Sequence, residues 1–164
     1  MVTAMILAGG VGSRVGAECP KQFIEVFGKP ILAYTIEIYQ KNSQVEAIEI
    51  VCHEDWIDYL KKMIKKYDLS KVRWITQGGK TFQESVINGM KYLKDKLNMD
   101  DIVMIHYGAA PFSSQHIIQD GIEKCKKYGM SVSCTPCFQL MGSNDGNGTV
   151  SYTHLRAHET SLHL

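Results

Sequence analysis

Ala4-Met5-Ile6-Leu7-Ala8-Gly9-Gly10-Val11-Gly12-Ser13-Arg14 is the stretch whose reading decides the fold. An apolar run without charge predicts a strand buried on both faces, the kind found in the middle of a parallel sheet. The glycines after it let the backbone turn sharply and let a ligand approach with no Cβ in the way. Successive N–H groups in such a turn form a concavity suited to phosphate oxygens. Two cations follow, Arg14 and, within Cys19-Pro20-Lys21-Gln22-Phe23, Lys21. The bland reading is a tight turn beside solvated cations. Strand, glycine loop and paired cations together favour a polyphosphate site.

Two familiar phosphate motifs are excluded. A Walker loop needs Gly-Lys followed by Ser or Thr, and Gly28-Lys29 leads into Pro30 instead. The dinucleotide fingerprint G-x-G-x-x-G would run from Gly10 through Gly12 to a third glycine, where the chain has Val15, with Gly16 one place late. Its acidic ribose partner has only a loose candidate in Glu49. NAD binding is therefore a weak third reading.

The length of 164 residues predicts one sizeable core and one domain, taken here as residues 1–149. A net charge of +1 gives no global field for nucleic acid or a membrane surface, and neither is expected as a partner. The lysine-rich Tyr59–Lys66 stretch reads as the solvated face of a helix. No apolar run approaches membrane-spanning length, and the chain enters its first strand without a signal-peptide pattern. Five scattered cysteines suit a reducing compartment, so a cytoplasmic location is expected. Cys134 and Cys137 form a C-x-x-C with no second pair, which reads as a strand-end coincidence.

Strand and helix signals then alternate. Gly28-Lys29-Pro30-Ile31 starts a helix with Pro30 near its first turn, and Ile31, Tyr34, Thr35, Ile38 and Tyr39 recur at helical spacing. Val45–Cys52 is a strand, and Glu54–Tyr67 is an amphipathic helix whose Trp56, Ile57, Leu60, Met63 and Ile64 read as a core stripe. Val72–Thr76 is a strand ending at Gln77-Gly78-Gly79, Thr81 to Leu97 a helix, and Asp101–His106 a strand. Ser113 is expected to cap the next helix, to about Tyr128, with Ser131–Thr135 a fifth strand. The alternation predicts an α/β fold, a doubly wound, mostly parallel sheet in three layers. Ligands in such sheets bind beyond the carboxyl ends of the strands, where the glycine loop, Gly78-Gly79 and the segment after His106 all fall.

From about Ser143 the pattern stops. Asn144-Asp145-Gly146-Asn147-Gly148 is turn material, and His154, His158 and His163 have no metal-ligand spacing. Val150–Thr160 resembles one reading frame of a transposon adapter used in sequencing libraries. Residues 150–164 are therefore expected to be a non-native tail, with the native C-terminal part absent.

Leu7-Ala8-Gly9-Gly10-x-Gly12-Ser13-Arg14, Pro20-Lys21-Gln22-Phe23, Gly28-Lys29-Pro30-Ile31-Leu32 and Gly78-Gly79-Lys80-Thr81-Phe82-Gln83-Glu84-Ser85-Val86 together resemble one family. It is the cytidylyltransferases acting on methylerythritol 4-phosphate or ribitol 5-phosphate, of isoprenoid and wall-polymer synthesis, with a Rossmann-like nucleotidyltransferase fold. The resemblance covers nearly all of Met1–Gly142. It implies attack of a sugar-alcohol phosphate on the α-phosphorus of CTP, with pyrophosphate leaving and magnesium usually present. The full-length protein is then expected to be a homodimer.

Carried over, Arg14 and Lys21 are the catalytic residues, stabilising charge on the α-phosphate and leaving group. Leu7, Ala8, Gly9, Gly10 and Gly12 line the nucleotide, and Gly79, Lys80 and Ser85 belong to the cytosine and ribose segment. The chain also departs from the pattern. The family has His-Asp-Ala-x-Arg-Pro after the fourth strand, its Asp helping to hold magnesium. Here His106-Tyr107-Gly108-Ala109-Ala110-Pro111 puts Tyr107 at the Asp and Ala110 at the Arg, and Phe82 stands where an Arg is common. Neutral tyrosine is a poor ligand for a hard cation. His106 reads as a packed strand-end residue. Ribitol and methylerythritol phosphates stay nearly tied as acceptors: Trp56 and the Leu7–Arg14 loop favour the first, Glu18-Cys19-Pro20-Lys21-Gln22 the second. The alternative to an enzyme is a non-catalytic CTP-binding homologue.

Overall fold

The computed structural model describes residues 1–10 and 19–134 and the backbone of Gly142–Asn144 and Val150–Tyr152. The chain divides into two units, Met1–Ser131 and Val132–Leu164.

The first unit is built on the predicted strand. β1 (Val2–Ala8) is buried at every residue and has a parallel neighbour on each side. β4 (Ala47–Cys52) lies along one edge, Thr3 opposite Ala47 and Ala8 opposite Cys52. β6 (Ile102–Tyr107) lies along the other, Val2 opposite Ile102 and Leu7 opposite Tyr107. β5 (Val72–Gln77) pairs with β4, giving the order β5-β4-β1-β6, all parallel. Mostly apolar residues suit β1 and β4, which have no solvent face, with Thr3 and Glu49 the buried exceptions. The outer strands β5 and β6 are only half-buried.

Period two divides the core between the faces. Ala4, Ile6 and Ala8 of β1, with Ile48, Ile50 and Cys52 of β4, meet Leu32 and Ile36 of α1 (Ile31–Gln40). Leu60 and Met63 of α2 (Ile57–Lys66) and Ile118 and Ile122 of α4 (Gln115–Tyr128) complete that layer. Met5, Leu7 and Val51 point the other way, against Leu93 of α3 (Phe82–Leu93). This is the expected three-layer, doubly wound arrangement. α3 comes so close to the sheet that a Cβ at Gly89 would lie 2.8 Å from Met5 Cε and 2.9 Å from Val51 Cγ2.

Several expected details differ. Gly28 does not open a helix: β2 (Glu25–Val26) and β3 (Lys29–Pro30) form a two-residue ribbon turning at Phe27 and Gly28, both at positive φ. Two left-handed residues give the turn whose twist suits a hairpin. The position before proline is biased to extended backbone, so α1 starts only after Pro30. The Glu54 end of the second helix is a 3-10 turn, Glu54–Trp56, before α2. α3 stops at Leu93, after which the Lys96 and Leu97 N–H groups turn back onto the Leu93 carbonyl. The cap of α4 is Ser114, which accepts from Ile117 N at 3.2 Å, because Ser113 is held by His106.

Ser131–Cys134 carries no strand: these residues are exposed and have no ladder partner, so the described sheet has four strands, not five. Thr135 and Cys137 lie outside the described residues. In the second unit, β7 (Gly142–Asn144) and β8 (Val150–Tyr152) pair antiparallel. The rest of the expected tail, residues 153–164, lies outside the described residues. Among the described residues no helix is long and apolar enough to cross a membrane.

Candidate functional site at the carboxyl ends of the strands

The chain runs from β1 through β4 to β5 in one direction and then returns to place β6 on the far side of β1. The order therefore reverses between β1 and β6, the place where α/β sheets generally open a ligand crevice beyond the strand ends. Gly9 and Gly10 follow β1, Gly78 and Gly79 follow β5, and Gly108 follows β6.

Gly9 and Gly78 come together although 69 residues separate them: a Cβ on Gly78 would stand 3.4 Å from Gly9 Cα and 3.3 Å from Ser85 Oγ. Ser85 is buried at the hub of this contact. Its hydroxyl accepts from Gly79 N at 3.0 Å and donates to the Thr81 carbonyl at 2.9 Å. Gly78 N donates to the Cys52 carbonyl at 2.8 Å, tying the β5 loop to the end of β4. Thr81 caps α3 by accepting from Glu84 N at 3.1 Å, while Glu84 reaches back to Lys80 N at 2.7 Å. This reciprocal pair fixes the start of α3 beside the crevice. Ser85 thus acts through the loop it holds, and the Lys80 side chain is left exposed.

Lys21 sits on a 3-10 turn, Lys21–Phe23, whose other two side chains are buried. Phe23 stacks on Trp56, ring centroids 4.7 Å apart and 14° between planes, with Tyr59 edge-on. Gln22, 2 % exposed, donates through Nε2 to the Ala8 carbonyl at 2.7 Å and to the Gly10 carbonyl at 2.8 Å. This anchored turn carries Lys21 exposed beside the glycine loop. The expected polyphosphate residues Leu7, Ala8, Gly9, Gly10 and Lys21 are therefore brought together. Gly12 and Arg14 lie outside the described residues. Lys29 is engaged elsewhere, paired with Glu37 and set over the Tyr34 and Tyr67 rings.

Sequence reading missed two residues. Gln22 has no signature of its own, since its partners are backbone carbonyls 12 and 14 residues away. Gly108 donates to the Leu7 carbonyl at 2.8 Å and its carbonyl accepts from the Thr35 hydroxyl at 2.8 Å, which sews the ends of β1, β6 and α1 together.

The titratable groups near the rim are not poised for acid–base work. His106 packs edge-on to Tyr39 and bonds Ser113 Oγ through Nε2 at 2.9 Å, and burial holds its pKa below the usual histidine range. Burial pushes the Cys52 thiol up to about 12, so it stays protonated at neutral pH. Glu49 lies in mid-strand, buried and bonded to Thr76, so it cannot serve as a ribose partner beyond the sheet.

The two departures from the family pattern meet. Phe82 at the start of α3 and Tyr107 at the end of β6 lie ring to ring, centroids 5.3 Å apart and 33° between planes. Among the described residues no three His, Cys, Asp or Glu side chains converge as metal ligands. Hard divalent cations take charged oxygen. Tyr107, where the resemblance places an Asp, offers a neutral phenol in place of a charged oxygen.

The family model described as IspD, 2-C-methyl-D-erythritol 4-phosphate cytidylyltransferase, matches residues 2–161. A ribitol-5-phosphate cytidylyltransferase of Lacticaseibacillus paracasei is 41% identical over 136 residues, covering 83% of this chain and 58% of that one. A 2-C-methyl-D-erythritol 4-phosphate cytidylyltransferase of Clostridium novyi is 45% identical over 129 residues, covering 78% and 54%. The crystal structure of 4-diphosphocytidyl-2C-methyl-D-erythritol synthase from Anaerococcus prevotii superposes with a TM-score of 0.74 at 25% identity, covering 93% of this chain and 62% of that one. The chain spans about half to two thirds the length of the curated relatives it matches. The strand order and these matches agree: the chain belongs to the IspD family of cytidylyltransferases.

Proposed function

We propose that this chain carries the CTP-binding part of an enzyme that transfers CMP from CTP to a sugar-alcohol phosphate and releases pyrophosphate. The observation that carries the reading is the convergence beyond the carboxyl end of β1 of Gly9–Gly10, the Ser85-held Gly78–Gly79 loop and the anchored Lys21 turn. The acceptor phosphate is already an anion, so the site's work is positioning and charge neutralisation rather than proton removal. Lys21, and Arg14 with it, would offset charge gathering on the α-phosphate and on the leaving pyrophosphate. Gly79 and Lys80 would border the base and ribose. Magnesium would arrive on the triphosphate's own oxygens, Tyr107 standing where the resemblance places an Asp ligand. The acceptor is ribitol 5-phosphate or methylerythritol 4-phosphate, the substrates named for the relatives. A cytoplasmic homodimer is the expected form of the full-length protein.

The Phe82–Tyr107 contact favours a second reading, a CTP-binding homologue without turnover. Titration calorimetry of the 164-residue chain with CTP, UTP, ATP and NAD, with and without magnesium, tests both. Selective CTP binding supports the site. CDP-alcohol and pyrophosphate formation from either acceptor then supports the enzyme. Binding unaffected by magnesium and without turnover supports the homologue, and a preference for NAD overturns both.

A further inference from the structure

We infer that Gln22 is a positioning residue that turns the carbonyl groups of the glycine loop away from the phosphate path and leaves the Gly9 N–H to face it. The Ala8 and Gly10 carbonyls bracket Gly9, and one buried carboxamide nitrogen holds both, spending its two protons at 2.7 and 2.8 Å. In a trans peptide the C=O and N–H point in opposite directions. With the Ala8 carbonyl drawn to Gln22, the Gly9 N–H points away from Gln22. No described group accepts from it. The Leu7 carbonyl is likewise taken, by Gly108 N at 2.8 Å. Three carbonyl oxygens that would repel an anion are thus engaged by the protein, and the Gly9 N–H, just past the strand, has no acceptor among the described residues. The glycines permit this turn, but Gln22 selects its polarity. Because Lys21 precedes Gln22 on the same 3-10 turn, the clamp also fixes the cation's register against that donor.

The inference rests on a phosphate ligand at the crevice, as proposed above, and not on which nucleotide carries it. The probes are inorganic pyrophosphate, CTP, ATP and cytidine, titrated into the isotopically labelled 164-residue chain by NMR and calorimetry. In the wild-type chain the Gly9 amide resonance is expected to shift on adding pyrophosphate. Gln22→Met keeps the length of the side chain and removes both donors. It is expected to weaken pyrophosphate and CTP binding about 10- to 100-fold, the range for lost hydrogen bonding to a charged group, while cytidine binding stays within about twofold. Gln22→Glu, which puts a carboxylate against the carbonyls, should weaken pyrophosphate binding further.

A Gly9 amide that does not respond to pyrophosphate in the wild-type chain overturns the inference, whether or not the variants fold. So does Gln22→Met binding pyrophosphate as tightly as wild type, or losing cytidine along with pyrophosphate. If pyrophosphate binding depends on Gln22 but CTP binds no better than ATP, the cytidylyl reading fails and the role of Gln22 stands.

Discussion

Glu49 is fully buried on the sheet face covered by α3, with the Thr76 hydroxyl donating to one carboxylate oxygen at 2.6 Å and the other oxygen unpartnered among the described residues. Burial pushes this carboxyl from its ordinary value near 4.5 up to about 7, against the opposing pull of the Thr76 bond and the Lys96 charge. Between those pH values the folded chain keeps a proton that the unfolded chain releases. Folding stability therefore falls as pH rises through the window and levels off above it. The loss is on the order of 3 kcal/mol. Urea unfolding of Glu49→Gln at pH 5 and pH 8 should show a flatter profile, with the variant more stable than wild type at pH 8.

His106 works in the opposite sense. Its folded pKa is held down by burial, so below its ordinary value of 6.5 the unfolded chain takes up a proton that the folded chain refuses. This contribution is lost as pH falls below 6.5. His106→Phe keeps a ring against Tyr39 but removes the titration and the Ser113 bond. It should cost about 1 kcal/mol at pH 7 and be relatively less sensitive to acid, read by the same denaturation at pH 7 and pH 5.

Lys21 and Phe23 share one 3-10 turn but separate function from stability. Lys21 is exposed, so Lys21→Ala should leave unfolding free energy within about 0.5 kcal/mol of wild type. Calorimetry should find CTP binding weakened by at least about tenfold, in keeping with the loss of a charge-assisted contact. Phe23→Ala empties the stack on Trp56 and should cost about 3 kcal/mol in urea unfolding. Unchanged CTP binding by Lys21→Ala would remove Lys21 from the site.

Gly89→Ala tests the approach of α3 to the sheet. Replacing glycine inside a helix ordinarily gains about 1 kcal/mol. Here the new methyl would stand 2.9 Å from Val51 Cγ2, on a stiff β-branched side chain, as well as against the more yielding Met5. Overpacking costs about 1–3 kcal/mol, so the net sign is destabilising. A lower urea midpoint with an unchanged slope is the expected result.

The sequence carries the fold in its apolar runs. Ala4–Ala8 reads as a central strand because no polar residue interrupts it, and β4 likewise splits Ile48, Ile50 and Cys52 from Val51 by period two. Where two residues of one type stand side by side, spacing could not choose between them: Ser113 and Ser114 differ in that His106 claims the first. Contacts between distant segments were illegible for a stronger reason. Nothing local indicates that Phe82 touches Tyr107, that Gly9 meets Gly78, or that Gln22 spends both its protons on the loop before it. The glycine loop was therefore found, and what holds it in shape was not.

The pairing of β1 with β6 also constrains how the molecule is made. Thr3 pairs with Ala47 on one side and with Val103, a hundred residues further along the chain, on the other. At about 5–20 residues per second of synthesis, the nascent strand that later shapes the crevice waits roughly 5–20 s for its second partner. Throughout that interval a mostly apolar strand has an unsatisfied edge, the kind that pairs with other chains. Slower translation beyond β4 should therefore lower soluble yield while leaving the stability of the finished protein unchanged.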